Sequence, residues 1–216
     1  MNVYVIHINR NLDQQQFKRM ASLVAKERCA RLDKYIFFED AQRSLLGDML
    51  VRYAARKCYD IRNNELTFGV REYGKPFLIS HPRIQYNVSH AGDYVACAIV
   101  NDIPVGIDVE IIKPIELDIS KRFFTQDEYA YINRQPLELQ TRCFYLIWTQ
   151  KESYIKMVGK GLSISLNSFN VLNGNEAYFS QFIQNEEVIG NVCTRKKENI
   201  ICESVNYEKL LEVLDI

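Results

Sequence analysis

Apolar residues fall along this chain in two rhythms, the twofold alternation of strands and the longer period of helices, and the order of the rhythms repeats. Asn2 to Ile8 predicts an opening strand, and Asp13 with Gln16 three positions on predicts a capped helix running toward Val24. From Glu39-Asp40, apolar side chains recur at Leu46, Met49, Leu50, Tyr53, Ala54 and Cys58, the stripe of an amphipathic helix. Such a helix needs a flat partner. Three strand candidates supply one: Leu66 to Glu72, Ile84 to Ser89 and Tyr94 to Val100, with a Gly74-Lys75-Pro76 turn between the first two.

Past Asn101-Asp102-Ile103-Pro104 the order begins again. Val105 to Ile111 reads as a strand, Thr125 to Glu128 as a capping box, and Pro136 to Val158 as a long helix closed by Gly159 and Gly161. Further strands are expected at Ser168 to Leu172, Ala177 to Ile183, Val188 to Thr194 and Asn199 to Ser204. The repeat is one of organisation, since the two halves share no matching letters. The expected fold is α/β (α+β): two similar subdomains, 1–104 and 105–216, with a ligand cleft between them.

Composition narrows the function classes. The 216 residues are 47% hydrophobic, ample for a buried core. Lys plus Arg number 27 and Asp plus Glu number 27, so no general field attracts nucleic acid or an anionic membrane, and any anion site must be local. The Arg195-Lys196-Lys197 run is short and without stacking aromatics, which reads as a solvated turn. No window is apolar enough to span a bilayer and no leader pattern opens the chain, so a cytoplasmic address is expected. Six cysteines lie far apart, none in a C-x-x-C pair, and read as reduced thiols rather than a disulfide framework or a zinc site.

Three clusters carry candidate chemistry. In Gly106-Ile107-Asp108-Val109-Glu110 the strand period sends Asp108 and Glu110 to one face, either a solvated face or a seat for a hard divalent cation. Trp148, Glu152 and Lys156 stand at i, i+4 and i+8 on the second long helix, either a catalytic stripe or an ordinary surface pair beneath a core tryptophan. Asn87-Val88-Ser89-His90-Ala91-Gly92 ends a strand in small and polar residues, where free N–H groups and an imidazole can hold phosphate or simply face water.

The combination of clusters resembles the phosphopantetheinyl transferases of the surfactin-synthetase-activating (Sfp) type. G-I-D-x-E followed by W-x-x-K-E-S-x-x-K is that family's signature. Likeness extends through Phe38 to Ala41, Arg43 to Leu50, Glu72 to Pro76, Asn87 to His90, Lys121 to Phe124 and Trp148 to Leu162. The resemblance implies a pseudo-twofold protein whose two halves are each a small, largely antiparallel sheet on a long helix. It implies Mg²⁺ held by Asp108, Glu110 and Glu152, and coenzyme A in the cleft between the halves. Coenzyme A contacts carry over to Lys75, Ser89, His90, Asp108 and Lys156, with Arg28, Arg31, Arg43 and Ser44 near the 3′-phosphate end. Arg28 and Arg31 stand where lysines are expected, which keeps the charge and changes its geometry.

The implied reaction moves the 4′-phosphopantetheine arm of coenzyme A to a serine of an apo peptidyl or acyl carrier protein, as in nonribosomal peptide biosynthesis, and releases adenosine 3′,5′-bisphosphate. Glu152 is the first choice of base and His90 the second, with Lys156 on the phosphate. The Ile112 to Phe124 segment, with Lys113, Lys121, Arg122, Phe123 and Phe124, is a candidate carrier-docking surface. A monomer is expected, without nucleic-acid or membrane partners. The competing readings are a Mg²⁺-dependent phosphohydrolase acting on coenzyme-A-like pyrophosphates and a noncatalytic coenzyme-A-binding module.

Overall fold

β1 (Asn2–His7) shows why the molecule has layers. Its side chains alternate, Tyr4 and Ile6 to one face and Val3 and Val5 to the other, and all four are buried. A strand apolar on both faces must be covered twice. The structure, a computed structural model that describes residues 1–173 and 177–215, covers one face with a long helix and the other with a second sheet.

α1 (Gln14–Ala21) opens with the expected Asp13–Gln16 capping box, and α2 (Lys26–Leu32) follows within the basic stretch. α3 (Phe38–Tyr59) buries the predicted stripe at Leu46, Met49, Leu50, Tyr53 and Ala54, with Cys58 half-buried. β2 (Phe68–Val70) and β3 (Pro76–Leu78) pair as a small hairpin of their own, so the strand expected over Leu66–Glu72 shrinks to three residues. β4 (Ile84–Ala91) and β5 (Tyr94–Asn101) complete the first half.

The second half starts with β6 (Val105–Ile111) and continues through α4 (Ser120–Phe123), α5 (Gln126–Asn133) and α6 (Leu137–Val158). The Thr125–Glu128 capping box is formed, and Gly159 ends α6 at φ +76°, a left-handed conformation that costs glycine least. β7 (Tyr178–Gln184), β8 (Val188–Thr194), β9 (Ile201–Ser204) and α7 (Tyr207–Val213) finish the chain.

Two small sheets result, of order β4-β5-β1-β9 and β6-β8-β7. All their pairs are antiparallel except β1 with β9. α3 packs on the first sheet through Tyr4, Ile6, Ile84, Tyr86, Val95, Cys97 and Ile99, and α6 packs on β6 and β8 of the second. Val3, Val5, Ala96, Ala98 and Val100 turn the back of the first sheet onto Val105, Ile107 and Val192 of the second. The expected pseudo-twofold pair of sheet-on-helix halves is therefore the architecture.

Two differences from the sequence reading have physical causes. β9 and α7 lie on the first half, although the 105–216 unit would assign them to the second. β1 has a second edge to pair, and Val205, Tyr207, Leu210 and Leu214 complete the core around α3. No strand forms at Ser168–Leu172, where a 3₁₀ turn spans Leu166–Ser168. There the backbone is engaged by side chains: Lys151 Nζ donates to the Leu166 and Phe169 carbonyls at 2.7 and 2.6 Å, and the Val171 N–H donates to Glu128 at 2.8 Å.

Candidate active site

The halves meet edge to edge at β4 and β6. The Ile107 N–H donates to Asn87 Oδ1 at 2.9 Å and the Val109 N–H to Ser89 Oγ at 3.4 Å, so two side chains of β4 stand in for a strand ladder. α6 then crosses β6 at very close range. A Cβ at Gly106 would overlap the Ser153 carbonyl and the Met157 N–H, so only glycine lets the helix backbone settle there. This contact explains the glycine in G-I-D-x-E: it brings Glu152 and Lys156 over Asp108 and Glu110.

Val88, Ser89, His90, Asp108, Val109, Glu110, Trp148, Glu152 and Lys156 line the resulting cavity, of about 310 Å³. Lys156 Nζ contacts Asp108 Oδ1 at 2.6 Å and Ser89 Oγ at 3.0 Å, and the Ser89 hydroxyl donates to the same carboxylate oxygen at 3.0 Å. Asp108 Oδ2 is buried with no hydrogen-bond partner. Burial raises the Asp108 carboxyl above the usual range, opposed by Lys156 and by the Lys156 and Ser89 hydrogen bonds. Burial, then the Asp108 charge, pushes Glu110 up to about 7, opposed by a hydrogen bond from the Trp148 side chain. Glu152 is raised for the same first two reasons. The cavity is thus short of positive charge.

Whether the carboxylates fit a metal follows from these observations. Among the described residues no three His, Cys, Asp or Glu side chains close on one point as a metal cluster. The three carboxylates share the cavity wall with Asp108 turned to Lys156, an arrangement that like charges adopt when a lysine is their nearest cation. An orphaned buried oxygen, two further carboxyls raised by burial and then by the Asp108 charge, and an all-oxygen donor set are what a hard divalent ion relieves. The residues fit Mg²⁺.

A larger cavity of about 950 Å³ adjoins the first and shares Val88 and His90 with it. Arg28, Arg31, Arg43 and Ser44 line it, as do Asp48, Arg52 and the hairpin residues Phe68, Gly69, Val70, Gly74 and Pro76. Arg28 is oriented by Asp48 at 2.5 Å and Ser44 Oγ at 2.7 Å; Arg43 pairs with Asp40 and donates to the Gly92 carbonyl at 3.2 Å. His90 stands at the junction, partly exposed. Its pKa is held below the usual value by enclosure of the ring, then by the cations Arg43 and Lys156.

Lys75 departs from its expected place. Its amine donates to the carbonyls of Val105, Lys156 and Met157 at 2.9, 2.6 and 3.1 Å, while its neighbours Gly74 and Pro76 line the larger cavity. In the Ile112–Phe124 segment, Phe124 is core, 5.1 Å from Phe144, and Phe123 stands edge-on to Trp148, while Lys113, Lys121 and Arg122 face water beside the exposed Glu116, Asp118 and Ile119.

Residue reading missed one pair. Lys151, inside W-x-x-K-E-S-x-x-K, is fully buried and meets the equally buried Glu128 at 2.8 Å. The signal was present in Glu128, whose place in a capping box already showed its side chain turned back to the chain. Arg52, 5% exposed with its Nε unpartnered, lines the larger cavity from a position between Leu50 and Tyr53 of the α3 stripe.

Carboxylates and a lysine gathered where two halves meet, beside a basic cavity of nucleotide size, define an α/β enzyme for phosphate-bearing substrates. Residues 104–205 match the 4'-phosphopantetheinyl transferase superfamily, and residues 11–101 match the 4'-phosphopantetheinyl transferase N-terminal family. A 4'-phosphopantetheinyl transferase of Bacillus subtilis is 41% identical over 180 residues, 83% of this chain and 80% of that protein. The 4'-phosphopantetheinyl transferase Sfp of Bacillus subtilis (strain 168) is 41% identical over 171 residues, 79% of this chain and 76% of its own length. A mouse L-aminoadipate-semialdehyde dehydrogenase-phosphopantetheinyl transferase is 31% identical over 160 residues, 68% of this chain and 52% of its own. The chain belongs to the 4'-phosphopantetheinyl transferase family and is an enzyme of its Sfp type.

Proposed function

We propose that this cleft transfers the 4′-phosphopantetheine arm of coenzyme A to a serine of an apo carrier protein, with Mg²⁺ required. The observation that carries the reading is the joining of the two cavities at Val88 and His90, which puts an acidic, metal-suited site next to a basic one of nucleotide size. Arg28, Arg31, Arg43 and Ser44 hold the nucleotide phosphate, and Ser89, His90 and Lys156 meet the pyrophosphate. Residues 1–104 thus supply the nucleotide side and the half beginning at 105 the catalytic side. Lys75 is outside this set because its amine is engaged elsewhere.

Asp108, Glu110 and Glu152 would hold the Mg²⁺, which when bound neutralises charge on the phosphate oxygens. The serine oxygen forms a bond to the β-phosphorus as the bond to the bridging oxygen breaks, and adenosine 3′,5′-bisphosphate leaves. Glu152, directly or through a bound water, takes the serine proton, whereas His90 is held weakly basic by enclosure of its ring, then by Arg43 and Lys156. Lys156 keeps its ammonium directed at the same phosphate. Six free cysteines suit a reducing compartment such as the cytoplasm, and the site assembles within one chain, as a monomer requires.

Mass spectrometry of a purified apo carrier protein after incubation with this protein, coenzyme A and Mg²⁺ tests the reading. A phosphopantetheine mass gain, abolished by chelator and restored by Mg²⁺, is expected. Coenzyme A cleavage without carrier, or an unmodified carrier, would overturn it.

A further inference from the structure

Lys75 joins three segments that the site depends on. It follows the turn of the β2–β3 hairpin, whose residues wall the larger cavity. Two of its three acceptors, the Lys156 and Met157 carbonyls, belong to the last turn of α6, where helix carbonyls have no partner within the helix. The Gly159 N–H takes only the Ile155 carbonyl. The third acceptor, the Val105 carbonyl, opens the strand that carries Asp108 and Glu110.

The surroundings suit this use of the amine. A cation at the C-terminal end of a 22-residue helix meets the negative end of the helix dipole. A Cβ at Gly159 would stand 3.0 Å from Lys75 Cδ, so the glycine that ends α6 also clears the path of the lysine stem. Burial pushes the amine down to about 8, the cost expected when an ammonium leaves water to serve backbone groups.

We propose that Lys75 is a positioning residue: its ammonium ties the end of α6 to β6 and to the hairpin, so that Lys156 and Glu152 face Asp108, and it does not contact the nucleotide. The proposal rests on the transferase reading for its kinetic consequence, though not for its structural one. Without the amine, two helix-end carbonyls and one strand carbonyl lose their donor together, and the last turn of α6 loosens. Lys156 lies in that turn. A displacement of about 1 Å there is enough to lower turnover roughly a hundredfold.

The test uses Lys75→Met, similar in shape and without charge, and Lys75→Arg, which keeps the cation, both in the full chain. Hydrogen exchange along α6, calorimetric binding of coenzyme A and turnover with an apo carrier are measured for each. Lys75→Met is expected to speed exchange at residues 155–160 and not at the start of α6. Turnover falls roughly tenfold to a hundredfold, and any weakening of coenzyme A binding appears only together with the faster exchange, through the displaced Lys156. Lys75→Arg recovers part of both losses. Unchanged exchange at the end of α6 with a tenfold weaker coenzyme A affinity would make Lys75 a ligand contact and overturn the proposal. Should Lys75→Met not fold, Lys75→Arg decides: parent-like affinity and near-parent exchange support the positioning role, and weakened affinity with parent-like exchange refutes it. If the parent protein leaves the carrier unmodified, the transferase reading fails, and the exchange data still judge Lys75.

Discussion

The two faces of α6 carry the same chemistry to opposite ends. On the cleft face, Lys156 pairs with Asp108 across a cavity open to water and ligand, beside Glu152. On the core face, one turn earlier, Lys151 pairs with Glu128, both 0% exposed, and also holds the Leu166 and Phe169 carbonyls. Glu128 in turn accepts from the Thr125 and Val171 N–H groups at 2.8 Å each. The core pair is satisfied at every atom the structure describes, whereas the cleft pair leaves Asp108 Oδ2 orphaned. The core pair, with every atom partnered, organises the fold, and the cleft pair keeps a carboxylate oxygen facing no donor.

The strongest way to break this comparison is Glu152→Gln, which keeps volume and removes charge on the cleft face alone. Transfer should fall by about 10²–10⁴-fold, the range for loss of a general base. Thermal stability should hold or rise, because burial and then the Asp108 charge disfavour the ionised Glu152 carboxylate. Turnover and melting curves on one preparation check both, and parent-like turnover would remove Glu152 from the mechanism.

Lys151→Met is the counterpart on the core face. It strands the buried Glu128 carboxylate, which costs about 3–5 kcal/mol of stability. Replacing both partners, Lys151→Met with Glu128→Leu, should recover only the part due to the stranded charge, since the Thr125 and Val171 N–H groups and the Leu166 and Phe169 carbonyls still lose their partners. Denaturant titration measures each variant. A loss below about 1 kcal/mol in the single variant, the value of an exposed pair, would contradict the sealed geometry.

The contrast between the faces also marks how far the sequence could be read. Periodicity located α3, α6 and β6, and the D-x-E alternation put Asp108 and Glu110 on one face, because these depend on neighbours close in the chain. Partners distant in the chain left no such trace. The strand near Asn199–Ser204 was visible, yet nothing local says that it pairs with β1 in the other half. Ser168–Leu172 has the composition of a strand and forms none, because Lys151 and Glu128 take its backbone groups. Lys75 sits in a turn legible from Gly74 and Pro76, but its acceptors lie 30, 81 and 82 residues on.

A smaller effect sharpens the cleft side. His90 is held below its usual pKa by enclosure, then by Arg43 of α3 and Lys156 of α6, with Asp40 of α3 opposing, so it is neutral at pH 7. Phosphate bound beside it adds negative charge and raises that pKa, so binding takes up a proton and coenzyme A affinity increases as pH falls from 8 to 6. Calorimetry in buffers of different ionisation enthalpy should record the uptake, and His90→Ala should abolish it. Uptake unchanged in His90→Ala would place the titrating group elsewhere.

The smallest expected effect lies where the two environments meet within one segment. Between Ile112 and Phe124, the Phe124 ring belongs to the core beside Phe144, and Phe123 lies against Trp148, the residue that also walls the active-site cavity. The rings therefore fix the segment and leave Lys113, Lys121 and Arg122 projecting into water. Carrier docking there would use these charges beside the exposed Ile119, and exposed charges act mainly through encounter, at about 0.2–1 kcal/mol for each pair. Reversing both charges, Lys121→Glu with Arg122→Glu, should raise the carrier KM several-fold and leave the coenzyme A KM and the melting temperature near those of the parent. Lys121 already pairs with Asp118 at 2.9 Å, so part of the change will come from that local pair. Asp118→Asn measured alongside separates the two. A carrier KM that does not respond to charge reversal, and does not recover at high salt, would move docking off this segment and onto the surface around the other cavity.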